Sequence, residues 1–262
     1  MNARDNTPRY RGAAFLLVVL TSLVSGAATD SATGSGPIAQ VLAKVAGNAG
    51  LLHFASLAGL INAVGILVLA GLLHTVLSGQ GKAMAVTAAL CWAGESFFYA
   101  FNQIASTALI HVASDFQSSG GVSGPNATLN QSLGQFLFSD VYHLGGTILM
   151  FFYCAGGLPF YYLFFKSRFV PRWISAYGLI AVSTGIVGAS MEMLGHRLGL
   201  VAYIAILPFE LVIGVYLLTR GIRIATNQPA VEPDGLKVAG GQRGAQPLPS
   251  RGPVRPAHGD TR

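Results

Sequence analysis

Charged residues are scarce in this chain and make up only 10% of its 262 residues. A typical soluble domain carries about 25% charged residues, so the composition excludes an ordinary soluble enzyme, and its apolar content excludes a disordered protein. Hydrophobic residues make up 52% of the chain, and the mean hydropathy is +0.54. Long apolar runs with so little charge are typical of an integral membrane protein.

Cysteine and the common catalytic motifs are also lacking. The two cysteines, Cys91 and Cys154, both lie inside apolar runs, which excludes a disulfide framework and a cysteine-based zinc site. The chain contains no phosphate-binding loop, no nucleophile elbow and no paired-cysteine motif. Although the net charge is +6, no basic patch is interleaved with aromatic residues. We therefore expect neither a cofactor nor a nucleic-acid partner, and the sequence favours a protein that is not an enzyme.

Six apolar segments predict the fold. They cover residues 12–28, 51–77, 83–112, 141–165, 173–194 and 198–219. A spanning helix needs about 20 apolar residues, and only the first segment is near the lower limit of about 17. The sequence therefore predicts an all-α, polytopic transmembrane bundle of six helices over residues 12–222, after a cytoplasmic N-terminus at 1–11. Residues 223–262 are rich in proline and glycine and mildly basic, which predicts a disordered cytoplasmic tail.

The distribution of lysine and arginine predicts the orientation. If the N-terminus faces the cytoplasm, nine basic residues lie near the inner helix ends: Arg4, Arg9, Arg11, Lys82, Lys166, Arg168, Arg172, Arg220 and Arg223. The outer segments hold two, Lys44 and Arg197, and the long outer loop 113–140 holds none. Because cytoplasmic segments are enriched in basic residues, both termini are predicted to be cytoplasmic. The expected location is the inner cell membrane, with the lipid bilayer as the partner of the bundle.

The first segment has a second interpretation. Its arginines, the apolar run at 13–24 and the small residues at 25–28 also resemble a secretory signal peptide. Cleavage there would leave five helices and an outer N-terminus. The rest of the topology would not change, so the charge distribution does not separate the two interpretations.

Residues 37–48 carry a short pattern outside the predicted spans. Ile38, Val41, Leu42 and Val45 recur at helical spacing, and Lys44 lies off this stripe. The pattern predicts a short helix on the outer surface of the membrane, with an ordered loop as the alternative.

Several short motifs accompany the apolar segments. They are Arg9-x-x-Gly12-x-x-Phe15-Leu16, Glu95, Asp140, Tyr161-Tyr162-Leu163-Phe164-Phe165, Lys166-Ser167-x-x-Val170-Pro171-Arg172-Trp173, Tyr177-Gly178-Leu179, Leu207-Pro208-Phe209-Glu210 and Arg220-Gly221. In these motifs and their spacing the chain resembles a bacterial family of six-helix membrane proteins, named domain of unknown function 4386. The resemblance covers residues 9–222, and its most specific part is 166–173. It implies a six-helix membrane fold and a retained first helix, but no assigned activity.

Topology alone explains the stretch from Lys166 to Trp173. Its basic residues hold an inner loop in the cytoplasm. Pro171 suits the first turn of a helix, where its missing N–H costs no hydrogen bond. Trp173 suits an anchor at the membrane interface. We therefore assign this stretch no catalytic role.

Two carboxylates are the main candidates for function. Glu95 and Glu210 lie near the middle of the third and sixth segments, and no Lys, Arg or His is predicted at that depth. A charge at the centre of a membrane helix costs about 2.5–3.5 kcal/mol on insertion scales, so such residues are usually functional. Two interpretations stay open. The carboxyl groups share a proton or bind a cation in transport or sensing, or each hydrogen-bonds a neighbouring helix and only stabilises the bundle.

Further polar residues extend this candidate site. One face of the third segment carries Cys91, Glu95, Tyr99, Asn102 and Ser106, spaced by three or four residues. Tyr203 precedes Glu210 by seven residues and is therefore predicted on the same helix face. The intramembrane candidates are thus Glu95, Asn102, Tyr203 and Glu210.

A second group of polar residues falls at the outer helix ends: His53, His111, Asp140, His143, Glu192, His196 and Arg197. Histidine and carboxylate side chains build zinc sites, and paired histidines hold haem. A metal- or haem-dependent enzyme at the outer face, using His53, His111, Asp140 and His143, is therefore an alternative function. No motif with metal-ligand spacing appears, and water-exposed interfacial histidines are the simpler interpretation.

Small residues recur every four positions in two segments: Ala85, Ala89 and Ala93, then Ala181, Gly185 and Ala189. Such faces let helices approach closely, either within one chain or between copies in a homo-oligomer. A non-catalytic membrane scaffold is the third functional class that the sequence allows.

Overall fold

The computed structural model describes residues 7–196 and 198–220 of the chain. All regular structure in these residues is helical, which confirms the predicted all-α class. The helices are α1 (Thr7–Thr33), α2 (Ile38–Gly47), α3 (Ala49–Leu77), α4 (Lys82–Ser118), α5 (Ala127–Gln135), α6 (Leu144–Ser167), α7 (Arg172–Met193) and α8 (Ile206–Arg220). The first six residues, Arg197 and the predicted tail at 223–262 lie outside the described part of the chain.

Six of these helices form a closed ring, in the order α1, α3, α4, α6, α7 and α8, with α8 packed back against α1. Neighbours in the ring are antiparallel. Between α1 and α3, for example, the Thr21 hydroxyl donates to Asn62 Oδ1 (2.8 Å) and the Ser25 hydroxyl to the Ala55 carbonyl (2.9 Å). Because lipid offers no water as a hydrogen-bond partner, polar groups in a membrane bundle are satisfied by interhelical hydrogen bonds of this kind.

Glycines bring α8 close to α1 where the ring closes. A Cβ atom on Gly12 would overlap the backbone of Leu218, and a Cβ atom on Gly214 would lie 2.6 Å from Leu16 Cδ2. Gly12 precedes Leu16 in α1, whereas Leu218 follows Gly214 in α8, so the two helices run antiparallel. The start of α1 and the end of α8 therefore lie at the same end of the bundle, as two termini on one side of a membrane require.

Within residues 7–196 and 198–220, five helices are long and apolar enough to cross a membrane: Arg11–Thr33, Ala49–Leu77, Lys82–Ser118, Ala127–Ser167 and Arg172–Met193. The predicted sixth segment, 198–219, consists of a 3₁₀ turn, Gly199–Tyr203, followed by the 15 residues of α8. At 1.5 Å per residue α8 is about 22 Å long, less than a hydrocarbon core of about 30 Å. The structure thus shows a multi-pass bundle with five candidate spans, and the sixth span stays a prediction.

The outside of the ring is apolar, as a lipid-facing surface requires. Along α3, Leu57, Val64 and Val68 are more than half exposed, whereas Leu52 and Ile66 are buried inside the ring. A soluble protein rarely exposes apolar patches of this kind over a whole helix face. The apolar surface of α3 is therefore a membrane surface.

The predicted outer loop 113–140 is mostly helical, which corrects the predicted boundaries. α4 continues to Ser118, and the next span begins at Ala127 rather than at residue 141. It runs from α5 through a π-helical stretch, Phe136–His143, into α6. Residues 127–135 carry few apolar side chains, but Gly134 packs so closely on α2 that its Cβ would lie 2.9 Å from Leu42 Cδ2. Tertiary packing, rather than hydropathy, holds this part of the chain helical.

The short helix predicted at 37–48 is confirmed as α2, and the loop alternative is wrong. Val41, Leu42 and Val45 are buried to 1% exposure or less. They join one apolar cluster with Leu109 and Phe116 of α4. The apolar face of α2 therefore packs against the bundle itself and not against the bilayer.

The motif at 166–173 forms a tight turn between α6 and α7. Arg168 ends α6 with a φ of 58°, and its N–H donates to the Phe164 carbonyl (3.1 Å). Pro171 lies immediately before α7, not in its first turn as predicted, and its carbonyl accepts the Ile174 N–H (3.0 Å). Trp173 is 64% exposed, which suits an interface anchor.

Candidate intramembrane site

A cavity of about 250 Å³ lies inside the ring. Side chains from α1, α3, α4, α6 and α8 line it, together with one residue of the 3₁₀ turn before α8. Most of the wall is aliphatic or aromatic. Its polar groups are Ser22, Asn62, Glu95, Tyr99, Tyr153, Tyr203 and Glu210. A largely apolar cavity with a few converging polar groups is the usual form of a small-molecule site.

Glu95 of α4 and Glu210 of α8 both border this cavity, and their carboxyl groups interact electrostatically. At 1.5 Å per residue, Glu95 lies about 20 Å along α4 from Lys82, and Glu210 about 15 Å along α8 from Arg220. Both distances are near half of a hydrocarbon core of about 30 Å. The structure therefore places the two carboxyl groups on the wall of one cavity at similar depth, from helices that are not neighbours in the ring.

The cavity offers these carboxyl groups no fixed positive charge. Among its lining residues in the described chain, none is Lys, Arg or His. The Tyr153 side chain interacts with Glu210. The side chains of Cys154 and Tyr161 interact electrostatically with both carboxyl groups. Thiol and phenol groups do not neutralise a carboxylate. Two ionised carboxylates here would be costly, so the arrangement calls for a proton or a bound cation.

The other two predicted candidates are placed differently. Tyr203 lines the cavity, but it lies in the 3₁₀ turn before α8 and not on one helix face with Glu210 as predicted. Its hydroxyl donates to Glu192 (3.0 Å). Asn102 is buried on α4 beyond the cavity, where its Nδ2 donates to the Tyr142 carbonyl (3.3 Å).

Aromatic side chains close the cavity toward the end of the bundle that holds the termini. Trp92 donates from Nε1 to the Tyr153 carbonyl (3.0 Å) and packs edge-on against Phe160, with 4.8 Å between ring centroids. The Tyr153 and Tyr161 hydroxyls lie 3.4 Å apart. Sequence reasoning missed Trp92 and Tyr153, because the spacing of these residues does not differ from that of ordinary core aromatics.

Polar side chains continue from the cavity toward the opposite end of the bundle. They are contributed by α1, α4 and the π-helical stretch, and they are Ser22, Ser25, Thr29, Tyr99 and Tyr142. Tyr99 interacts with both serines, and Tyr142 interacts with Thr29. Near Tyr142, the Asn102 Oδ1 atom is buried without a hydrogen-bond partner. Such an atom is usually satisfied by an ordered water.

Substitution of Gly145 tests how closely α6 packs against Asn102. A Cβ atom on Gly145 would overlap Asn102 Oδ1, whereas a Cβ on the neighbouring Gly146 meets nothing within 4 Å. We expect G145A to lower the unfolding free energy by about 1–3 kcal/mol through overpacking. G146A should change it by no more than about 0.5 kcal/mol. Unfolding of the purified variants in one detergent measures both, and equal effects of the two substitutions would disprove the close contact.

The structure does not bring the outer metal candidates together. His53, His111, Asp140 and His143 are all exposed. Across residues 7–196 and 198–220, no three His, Cys, Asp or Glu side chains are placed to hold a metal ion. His143 packs instead against the ring of Phe138, with 4.6 Å between centroids. The geometry therefore gives no support to a metal site of three or more such ligands at the outer face, and the haem alternative stays a prediction.

Glu192, which the sequence places among the outer residues, has a structural role. Its carboxylate accepts hydrogen bonds from the Thr147 hydroxyl (3.1 Å), the Gly199 N–H (3.0 Å) and the Tyr203 hydroxyl (3.0 Å). These donors belong to α6 and to the connection between α7 and α8. Glu192 thus ties the 3₁₀ turn to the ring and positions Tyr203 at the cavity.

The small-residue face of α7 is used inside the chain. Ala181 and Ala189 are fully buried, and a Cβ on Gly185 would lie 2.5 Å from Cys154 Sγ. This face therefore packs α7 against α6. A homo-oligomer through other small residues stays a prediction.

Fold and site together define the class: an all-helical, multi-pass membrane protein that encloses a cavity with two acidic side chains. The chain belongs to the family described as domain of unknown function DUF4386, which matches residues 11–221. This confirms the family resemblance drawn from the sequence motifs. No curated protein and no solved structure matches the chain.

Proposed function

We propose that this protein is a proton-coupled carrier of a small molecule in the bacterial inner membrane, in which Glu95 and Glu210 take up and release the coupled proton. The observation that carries the proposal is that both carboxyl groups border one cavity inside the ring. A purely structural glutamate needs a hydrogen-bond partner on a neighbouring helix, but it needs no empty space beside it. A carrier needs both a charged group and room for its substrate.

The charge of the pair explains how a proton and a substrate compete. A carboxylate without a positive partner is costly in a low-dielectric cavity, and two of them repel each other, so both carboxyl groups hold a proton when the cavity is empty. A bound group that supplies one positive charge replaces one of these protons. Binding of the substrate and loss of the proton are then linked, which is the requirement for coupled exchange.

The difference between the aromatic half and the polar half of the bundle indicates that, in this conformation, protons reach the cavity from only one side of the membrane. Toward the termini, Trp92, Phe160, Tyr161 and Phe164 are buried to 2% exposure or less and form an apolar plug. Toward the other end, the polar side chains around Tyr99 lead away from Glu95. Protons therefore reach the pair from the polar half, and the aromatic half has to open for release on the other side.

The orientation and the sixth span complete the proposal. Five described basic residues near helix ends, Lys82, Lys166, Arg168, Arg172 and Arg220, belong to the end of the bundle where α1 starts and α8 ends, whereas Lys44 of α2 belongs to the opposite end. By the enrichment of basic residues in cytoplasmic segments, this end is cytoplasmic and both termini are inside. α8, which closes the ring, then crosses as the sixth span together with the turn before it.

Infrared spectroscopy of the purified protein in lipid tests the role of the pair. We expect the carbonyl band of protonated carboxylic acids to change with pH, because the two buried carboxyl groups exchange protons with water. E95Q and E210Q should each remove part of this change, and the double variant should remove a larger part, which leaves only the contribution of the other carboxyl groups. E192Q, which alters a hydrogen-bonded structural carboxylate, is the matched control. If the double variant keeps the full pH-dependent band, the proposed function is wrong.

Cysteine labelling tests the orientation. Lys44 in α2 and Lys82 at the start of α4 are both exposed and belong to opposite ends of the bundle. In a variant whose own two cysteines are replaced by alanine, we expect K44C to react with a membrane-impermeant maleimide on intact cells. K82C should react only after the membrane is permeabilised. The reverse pattern would place the termini outside.

A further inference from the structure

The chemistry of the cavity walls narrows the class of substrate. Beside the two carboxyl groups, the wall presents the indole of Trp92 and the phenol rings of Tyr99 and Tyr153. Aromatic faces attract cations, more strongly when water is excluded. The remaining wall, including Phe15 and the aliphatic residues of α1 and α3, favours an apolar body.

The titratable groups around the cavity supply negative charge or none. The lining contributes Glu95 and Tyr99 from α4, Tyr153 from α6, and Tyr203 and Glu210 from the α8 side. Cys154 and Tyr161 on α6 lie behind the wall, and the lining residues of α1 and α3 are not titratable. An anionic substrate would meet no positive charge here, and a neutral one would not displace a proton from the carboxyl groups.

The cavity also reaches the outer surface of the ring. Leu23 of α1 and Leu207 of α8 line it, yet they are 46% and 38% exposed. Both lie on apolar helix faces, so this opening between α1 and α8 meets lipid and not water. It belongs to the half of the bundle that holds the start of α8, where that short helix gives way to the 3₁₀ turn. A substrate that uses this opening needs an apolar body that partitions into lipid.

From these three observations we infer that the cavity binds a small organic monocation with an apolar body, a protonated amine or a quaternary ammonium ion, in exchange for one proton. The inference rests on the proposed function and names its substrate class. Before binding, both carboxyl groups carry a proton and the site is neutral. When the cation enters, one carboxyl group releases its proton to water, and the resulting carboxylate balances the ammonium charge. No covalent bond forms, and the site is neutral before and after.

Tryptophan fluorescence gives a direct test, because the chain has only two tryptophans. Trp173 is 64% exposed, so W173F leaves Trp92, in the cavity wall, as the only tryptophan reporter. The probes are benzyltrimethylammonium and its neutral carbon isostere, neopentylbenzene, added to the full-length W173F protein in lipid nanodiscs. We expect the cation to change Trp92 emission saturably and to release a proton to a pH indicator. The isostere should bind at least about tenfold more weakly.

The glutamine variants separate the inference from the function on which it rests. In the W173F background, E95Q/E210Q should lose proton release and bind the cation at least about tenfold more weakly. D115N, which removes an exposed carboxylate of α4 away from the cavity, should do neither. Equal binding of the cation and the isostere, or no saturable change with the cation, would overturn the inference. Either result, combined with a pH-dependent carboxyl band that E95Q/E210Q removes, leaves the proposed function standing. Cation binding with proton release in the wild type but not in the double variant supports both.

Discussion

Replacing Gly12 with leucine is expected to prevent the ring from closing. A Cβ atom at this position would overlap the backbone of Leu218, and a backbone cannot turn aside as a long side chain can. Overpacking a core usually costs about 1–3 kcal/mol. Because here the two helix axes themselves must separate, we expect G12L to lower the unfolding free energy by at least about 3 kcal/mol. Titration with a denaturing detergent in mixed micelles measures the change.

Gly26 provides the control for this prediction on the same helix. A Cβ atom on Gly26 meets nothing within 4 Å, so G26L adds an apolar side chain without a clash. Its effect should stay within about 0.5 kcal/mol. If G12L and G26L unfold alike, then α8 does not pack on α1 as described, and the ring is open. That result would also remove the wall that α8 gives the cavity.

Replacing Trp92 with alanine is the second change with a large expected effect. Trp92 is 2% exposed, and it stacks on Tyr153 with ring centroids 6.2 Å apart. Removal of a buried tryptophan costs about 3–5 kcal/mol, and its Nε1 hydrogen bond to the Tyr153 carbonyl is lost as well. We also expect W92A to let protons cross lipid vesicles faster than wild type, because the apolar plug below Glu95 then has a gap.

Trp173 is the matched control, since it is the only other tryptophan and is 64% exposed. W173A should change the unfolding free energy by no more than about 0.5 kcal/mol and leave the proton permeability of the vesicles unchanged. The milder variant W92F keeps an aromatic ring in the plug, so its proton permeability should stay close to that of the wild type. A W92A protein as stable and as proton-tight as wild type would show that this residue does not close the cavity.

The helices were largely predictable from sequence, because a span of about 20 apolar residues leaves the backbone no alternative in lipid. The stretch 113–140 was not, since the helical part from Ala127 has little hydropathy and depends on contact with Leu42 of α2. A hydropathy pattern does not contain such long-range contacts. The same limit applies to α8, whose first residues form a separate turn held by Glu192.

Of the candidate site, the sequence predicted mainly the residues that are most costly to insert into a membrane. Glu95 and Glu210 stand out because an acidic side chain in an apolar membrane helix is costly to insert and is therefore rare without a functional role. The order of helices in the ring places Glu95 and Glu210 on one cavity, and this order cannot be predicted from the sequence of either segment. Asn62, Trp92 and Tyr153 line the same cavity, yet in the sequence they look like ordinary interhelical contacts. Tyr203 was named for its spacing from Glu210, but it reaches the cavity from a different element.

The central claim is that Glu95 and Glu210 act as one coupled pair. The chain contains four glutamates, Glu95, Glu192, Glu210 and Glu232, so isotope-labelled glutamate isolates their carbonyl bands in the infrared spectrum. Groups that interact strongly titrate together, and removing one changes the pH midpoint of the other. We predict that E95Q shifts the pH at which the Glu210 band disappears, and that E192Q leaves it in place. A Glu210 band whose midpoint is identical in wild type and E95Q would contradict the account.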